Sequence, residues 1–127
     1  MSNPFYNGIE FRWEEHKRLW NWLSENPEKS KSDWPEWLIL EDCLSTCFAC
    51  EFDNILIENK FSVLDCELCP LTKKGNAFCQ TCLDGLFKQW SFAQNEQRSI
   101  FAKQIAALPL RDDLDWKTST GEPYGPR

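Results

Sequence analysis

Apolar residues recur at helical spacing early in the chain. Ile9, Trp13, His16, Trp20 and Leu23 follow one another at steps of four and three, which is one face of a helix. Leu19 and Trp22 widen that face. The pattern predicts a helix over Ile9–Ser24, ended before Pro27, which disfavours helical backbone at Asn26. After the polar connector "ENPEKSKS", the stretch "SDWPEWLILEDC" reads as a second helix start. Ser32 or Asp33 can cap it, Pro35 suits a first turn, and Asp33 with Glu36 has the spacing of a capping box. This helix is expected to run to about Leu44. The rhythm then changes. Two short apolar runs, Ile55–Ile57 and Phe61–Leu64, flank "ENK" and suggest a β-hairpin. "LTKKGNAF" reads as a loop. Leu83, Leu86, Phe87 and Trp90 mark a third helix. A fourth is expected from Asn95 to Leu108, with Ile100, Phe101, Ile105 and Leu108 inward and Pro109 closing it. The polar, Gly- and Pro-bearing end "RDDLDWKTSTGEPYGPR" reads as a mobile tail.

Composition narrows the class. A chain of 127 residues fits one domain, and its seven tryptophans and nine phenylalanines supply apolar bulk. The start is polar and charged rather than a signal peptide, and no run is long and apolar enough to cross a membrane. The expected setting is therefore the cytoplasm, where thiols stay reduced. The net charge of −6 is unevenly spread: −8 over residues 1–70, +3 over 71–108 and −1 beyond. Such a balance argues against a generic polyanion binder, which draws on clustered Lys and Arg.

The cysteines carry the strongest chemical signal. Seven is an odd count, which full internal disulfide pairing cannot use. Three CxxC pairs stand at Cys47/Cys50, Cys66/Cys69 and Cys79/Cys82, and fifteen residues separate Cys50 from Cys66. The array Cys47, Cys50, Cys66, Cys69 has zinc-ribbon spacing, and four thiolates suit a closed tetrahedral Zn²⁺ site. Cys79 and Cys82 precede the third helix, where the helix dipole favours thiolates, so a treble-clef-like pairing of Cys47 and Cys50 with Cys79 and Cys82, or a mixture, is the alternate. Cys43 reads as a small apolar residue at a helix end. Iron–sulfur ligation uses the same donor set. A thioredoxin-like redox role lacks its βαβ frame.

A catalytic set is harder to assemble. The chain's one histidine, His16, lies on the apolar face of the first helix and reads as core. No deaminase-type triplet precedes a P-C-x-x-C, and the carboxylates read as a solvated acidic face. In "DWPEW", Trp37 leads into "LIL" and is expected in the core. Trp34, beside the polar connector, is expected to be the more exposed and a candidate contact residue.

The segments "HKRLWNWLSENPEKSKSDWPEW", "CFACEF", "CELCPL", "CLDGLFKQW" and "FAKQIAALP", in that order, resemble a family of small uncharacterised bacteriophage and prophage proteins. That family runs "HRxLWxW", "CxxCEY", "CxxCP[IL]", a cysteine ahead of "GLYxxW", and "LARQIAxLP". The resemblance spans residues 9–110. It places Cys47, Cys50, Cys66 and Cys69 on the family's paired cysteines and Cys82, or Cys79, on a lone downstream one. The chain departs in carrying Cys43 and one further cysteine, and in having Phe52 and Phe87 where tyrosine is common. The resemblance implies a phage setting and a metal, but no activity.

Together these readings predict one α+β domain over residues 1–110, mostly helical with a short β-hairpin and stapled by one structural zinc, and a tail over 111–127. The expected function is non-enzymatic: a phage-encoded zinc-binding protein that binds a host protein of transcription or defence in the bacterial cytoplasm. The alternative is a small zinc-binding nucleic-acid module, with Lys73, Lys74, Lys88, Arg98 and Lys103 as its cations.

Overall fold

The computed structural model describes residues 3–41, 48–60, 70–71, 86–108, 110 and 114–124. Among these, two short strands, β1 (Phe5–Tyr6) and β2 (Ile9–Glu10), are followed by helices α1 (Trp13–Glu25), α2 (Trp37–Glu41), α3 (Phe48–Glu58), α4 (Leu86–Phe92) and α5 (Asn95–Ala106). The architecture is mostly helical with one antiparallel hairpin, compatible with the α+β class.

The hairpin is made by Asn7-Gly8. Both residues have positive φ, 53° and 78°, the left-handed pair that a two-residue hairpin turn needs. Phe5 then faces Glu10, and Tyr6 faces Ile9. A two-stranded ribbon is marginal alone. Here the chain's end reinforces it. Phe5 and Lys117 exchange backbone hydrogen bonds of 2.7 Å each, and Tyr124 N–H reaches the Trp116 carbonyl at 3.1 Å. The described part of the expected tail, residues 114–124, thus packs: Trp116 is 4% exposed and belongs to the core. Its signal was hidden by the Gly- and Pro-bearing composition around it.

The helix read from residue 9 begins at Trp13, because Ile9 and Glu10 belong to the hairpin. Its face is as expected, with His16, Leu19, Trp20 and Leu23 buried. Arg12 at its N-cap offers no side-chain cap. Asn3 supplies the missing acceptor from across the hairpin: its Oδ1 accepts the Glu14 N–H at 2.9 Å, and its Nδ2 donates to the Glu10 and Glu15 carboxylates, also at 2.9 Å. A cap of this kind is worth about 1 kcal/mol.

The second helix starts later than expected, and its expected end near Leu44 lies outside the described residues. The capping box is Ser30–Asp33, closing one 3-10 turn over Lys31–Asp33, rather than Asp33–Glu36. Helix α2 then begins at Trp37. The predicted hairpin at 55–64 is overturned over its first half, since Ile55–Ile57 belong to α3; Phe61–Leu64 lie outside the described residues. Alternating Ile55 and Ile57 read as a strand. The period that decided the matter is four, through buried Phe48, Phe52 and Leu56. Lys60, in a left-handed conformation at φ 64°, follows the end of α3.

At the other end, α4 and α5 form a helical pair joined by Ala93–Gln94, and α5 lies along α1. Ala102, Ile105 and Ala106 face inward, whereas Ile100, expected inside, is 54% exposed. The Ser99 hydroxyl donates to the Ser24 carbonyl, tying α5 to the end of α1. Trp90 of α4 meets Trp20 of α1 edge to face, at 4.9 Å between ring centres.

His16 sits at the α1–α5 junction, 1% exposed. Its Nε2 lies 3.3 Å from the Ile105 carbonyl, which can only accept, so the proton sits on Nε2. Nδ1 is buried without a hydrogen-bond partner, which suits a neutral ring. Burial is the main reason its pKa falls from 6.5 to about 4. The Ile105 carbonyl opposes that fall, while Lys31 and Lys17 add to it. The unfolded chain regains the ordinary value and takes up a proton first. Stability is therefore full above pH about 6.5, declines as pH falls toward 4, and loses nothing further from this residue below that. The full effect is about 3 kcal/mol. Urea unfolding of the native chain and His16→Met at pH 7 and pH 4.5 should show the native chain losing more of its stability on acidification. Equal losses would show that His16 is not the proton acceptor.

Candidate functional site

Of the cysteines singled out by spacing, Cys43, Cys47, Cys66, Cys69, Cys79 and Cys82 lie outside the described residues. Cys50 is the third residue of α3, and Cys47 directly precedes that helix in sequence. Among the described residues, no cluster of three or more His, Cys, Asp and Glu is placed to hold a metal. The helix that begins at Phe48 nevertheless changes the setting of the first CxxC pair. A zinc ribbon would carry it on a β-turn and follow it with a strand, whereas the chain after Cys50 is helical through Glu58. Cys50 thus stands in the first turn of a helix.

The tryptophans of "DWPEW" exchange the places expected of them. Trp34 is 4% exposed and stands edge to face with Phe48, with ring centres 6.2 Å apart. Trp37 is half-buried, and its indole N–H donates to the Glu41 carboxylate at 2.8 Å on the surface. The cause is Pro35. The residue before a proline is pushed out of helical backbone, and Trp34 is extended at φ −64°, ψ 132°. Trp34 therefore turns in beneath α3, and Trp37 opens the helix. Leu38, beside it, is 73% exposed.

The described surface includes two clefts. The larger, of 360 Å³, runs between the Asn7-Gly8 turn and the turn at 118–121. Its charges cancel, with Lys117 Nζ 3.2 Å from Asp115, and the Thr118 hydroxyl is taken up by the N–H groups of Thr120 and Glu122. The smaller, of 200 Å³, lies between β2 and α3. Phe48 and Phe52, at 2% and 1% exposure, form its inner wall, and Ile9 and Ile55 are half-buried beside them. Glu10, Arg12 and Glu51 complete the lining. Arg12 is turned toward α2, with one guanidinium N–H donating to the Ile39 carbonyl at 3.5 Å. These residues come from two segments about forty apart in sequence, so no local motif announced the cleft.

Arg98, one of the cations considered for nucleic acid, is committed to packing. Its guanidinium carbon lies 4.3 Å from the centre of the Trp90 ring, and Nη1 donates to the Pro27 carbonyl at 3.3 Å. Lys103 on α5 is exposed, while Lys73 and Lys74 lie outside the described residues. Elsewhere Arg18 grips Glu36 through two hydrogen bonds, of 3.1 and 3.0 Å, bracing α1 against the start of α2. That pair is solvent-exposed and worth at most about 1 kcal/mol. No helix among the described residues is long and apolar enough to cross a membrane.

No family model, curated protein or solved structure matches the chain.

The exchanged tryptophans define a test. Trp34→Ala should cost about 3–5 kcal/mol in chemical unfolding, as for a large buried aromatic. Trp37→Ala should cost less than half of that. Comparable losses at both positions would place Trp37 in the core as well.

Proposed function

We propose that this chain is a non-enzymatic, zinc-stapled protein, phage-encoded, that binds a host protein. The observation that carries the metal is the start of α3. A CxxC pair spans its beginning, and two further CxxC pairs elsewhere in the chain can complete four thiolates. The helix after Cys50 does not favour the ribbon, which would place a strand there, and the treble-clef-like alternative, whose helix start carries the later pair Cys79 and Cys82, stands beside it. Cys47 and Cys50 would be the constant pair, with Cys66 and Cys69, or Cys79 and Cys82, completing the shell. The metal's role on this reading is structural. Metal binding would supply folding free energy to segments too loop-rich to build a core of their own.

Protein binding is supported by three features. The first half of the chain is strongly acidic. Leu38 and half-buried Trp37 stand on its surface. His16, which an acid–base mechanism would recruit first, is enclosed by Phe11, Trp20 and the Ile105 carbonyl. The phage setting comes from the segment resemblance. A nucleic-acid module is the weaker alternative, because Arg98 is occupied by Trp90 and Pro27.

Native mass spectrometry should find about one zinc per chain with reduced cysteines. Cys47→Ser and Cys50→Ser should each strip it, and Cys43→Ser should retain it. A folded, metal-free native chain would remove the metal from the reading. Affinity capture from bacterial lysate should enrich a protein that survives nuclease treatment and moderate salt. Capture that vanishes with nuclease would transfer the function to nucleic acid.

A further inference from the structure

We infer that Asn7 is a site of covalent self-modification: its side-chain amide is lost through a cyclic imide to give aspartate and isoaspartate, at a rate set by opening of the hairpin turn. Asn7 and Gly8 are both exposed. Beyond its chain neighbours, Gly8 has no heavy atom within 4 Å of the place where a Cβ would stand. No hydrogen bond holds the Asn7 side-chain amide among the described residues. Both residues line the 360 Å³ cleft, so water reaches them. A glycine in second place leaves the attacking backbone nitrogen without a side chain to shield it.

The chemistry balances with water as the only co-reactant. The Gly8 backbone nitrogen gives up its proton and forms a bond to Asn7 Cγ. The Cγ–Nδ2 bond breaks, and Nδ2 leaves as ammonia with that proton. One water then opens the imide at either carbonyl. One product is aspartate at position 7. The other is isoaspartate, whose main chain runs through Cγ and is one methylene longer. Closing the ring needs Asn7 Cβ and the Gly8 nitrogen eclipsed about the Cα–C bond. The left-handed backbone of Asn7, at φ 53°, belongs to a region with ψ about +47°, which sets the two atoms on nearly opposite sides. The intact turn therefore protects the amide, and the reaction proceeds from the locally opened hairpin. Opening is resisted by the pairing of β1 with Lys117, through two bonds of 2.7 Å, and by the contact of Tyr6 with Trp116. The two products differ in consequence. Aspartate before glycine still suits the turn, and it adds one negative charge to a cleft already lined by Asp115 and Lys117. Isoaspartate lengthens the loop whose two residues set Phe5 against Glu10, so it breaks that register.

The test ages the full chain in warm, mildly alkaline buffer, both native and unfolded in urea, and analyses its proteolytic fragments by chromatography and mass spectrometry. The native chain should show the mass change of amide to acid at Asn7, several-fold more slowly than the unfolded chain, and sub-denaturing urea should raise the native rate. Both acid forms should appear. Asn7→Asp should unfold close to the native midpoint, whereas the aged isoaspartate fraction should unfold at distinctly lower urea. An Asn7 amide that survives weeks of ageing in the native chain would overturn the site. Native conversion as fast as that of the unfolded chain would overturn its control by the turn, and an isoaspartate form as stable as the native chain would overturn the loss of register.

Discussion

Phe11, Phe52 and Trp116 meet in a triangle with ring centres 5.8, 6.3 and 5.4 Å apart, and the remaining described structure is arranged around it. The three residues come from the end of the hairpin, the middle of α3 and the end of the chain. Each is at most 4% exposed. Aromatic pairs of this kind contribute about 0.5–1.5 kcal/mol beyond the area they bury. Their larger effect is topological. Phe11 can be covered only if α3 lies across it, and Trp116 closes the remaining side only if the last segment returns to pair Lys117 with Phe5. The ladder at the hairpin and the cluster beneath it are therefore one construction. Tyr6, 6.2 Å from Trp116, extends it to the surface.

The amphipathic helices were legible because each wears its apolar residues on one face. Positions 16, 19, 20 and 23 of α1 and 105 of α5 needed only a period near 3.6 to be placed inward, whereas Ala102 and Ala106 are buried in α5 and Ile100, which the period also points inward, is exposed. What escaped was decided by particular residues read at the wrong period or in the wrong context. Asn7-Gly8 is a strong short-range hairpin signal, yet Ile9 fits the helical series that follows it, and the series took precedence. Ile55 and Ile57 favoured a strand, while Phe48, Phe52 and Leu56 outweighed them through burial. The polar neighbours of Trp34 point it outward, although Pro35 fixes the backbone that turns it inward. Trp116 stands in a segment whose composition resembles a tail. Only its ring contacts with Tyr6, Phe11 and Phe52, more than sixty residues away along the chain, reveal what it does.

The candidate sites divide in the same way. The cysteine spacing is a property of the sequence, and the metal reading starts there. The place of Cys50 in the first turn of a helix came from the fold, since the apolar runs at Ile55–Ile57 and Phe61–Leu64 suggest a β-hairpin shortly after it. The cleft has the opposite character. No local pattern in "IEFR" or "FACEFDNI" announces the cleft, whose walls meet only through the packing of Phe11 on Phe52.

Helix α3 belongs to both sites, and its length shows why they would depend on each other. At 11 residues it is below the roughly 12–15 at which an isolated helix becomes even marginal in water, so it must be held by its surroundings. One side is held by the Phe48, Phe52 and Leu56 stripe. The first turn, where the N–H groups have no partner inside the helix, is the part that a stripe secures least. On the proposed reading a metal on Cys47 and Cys50 anchors that turn, and Glu51 is the next residue along. Removing the metal would loosen the carboxylate before it loosened the aromatic core. A zinc of this kind would hold the start of α3 in shape as well as the fold.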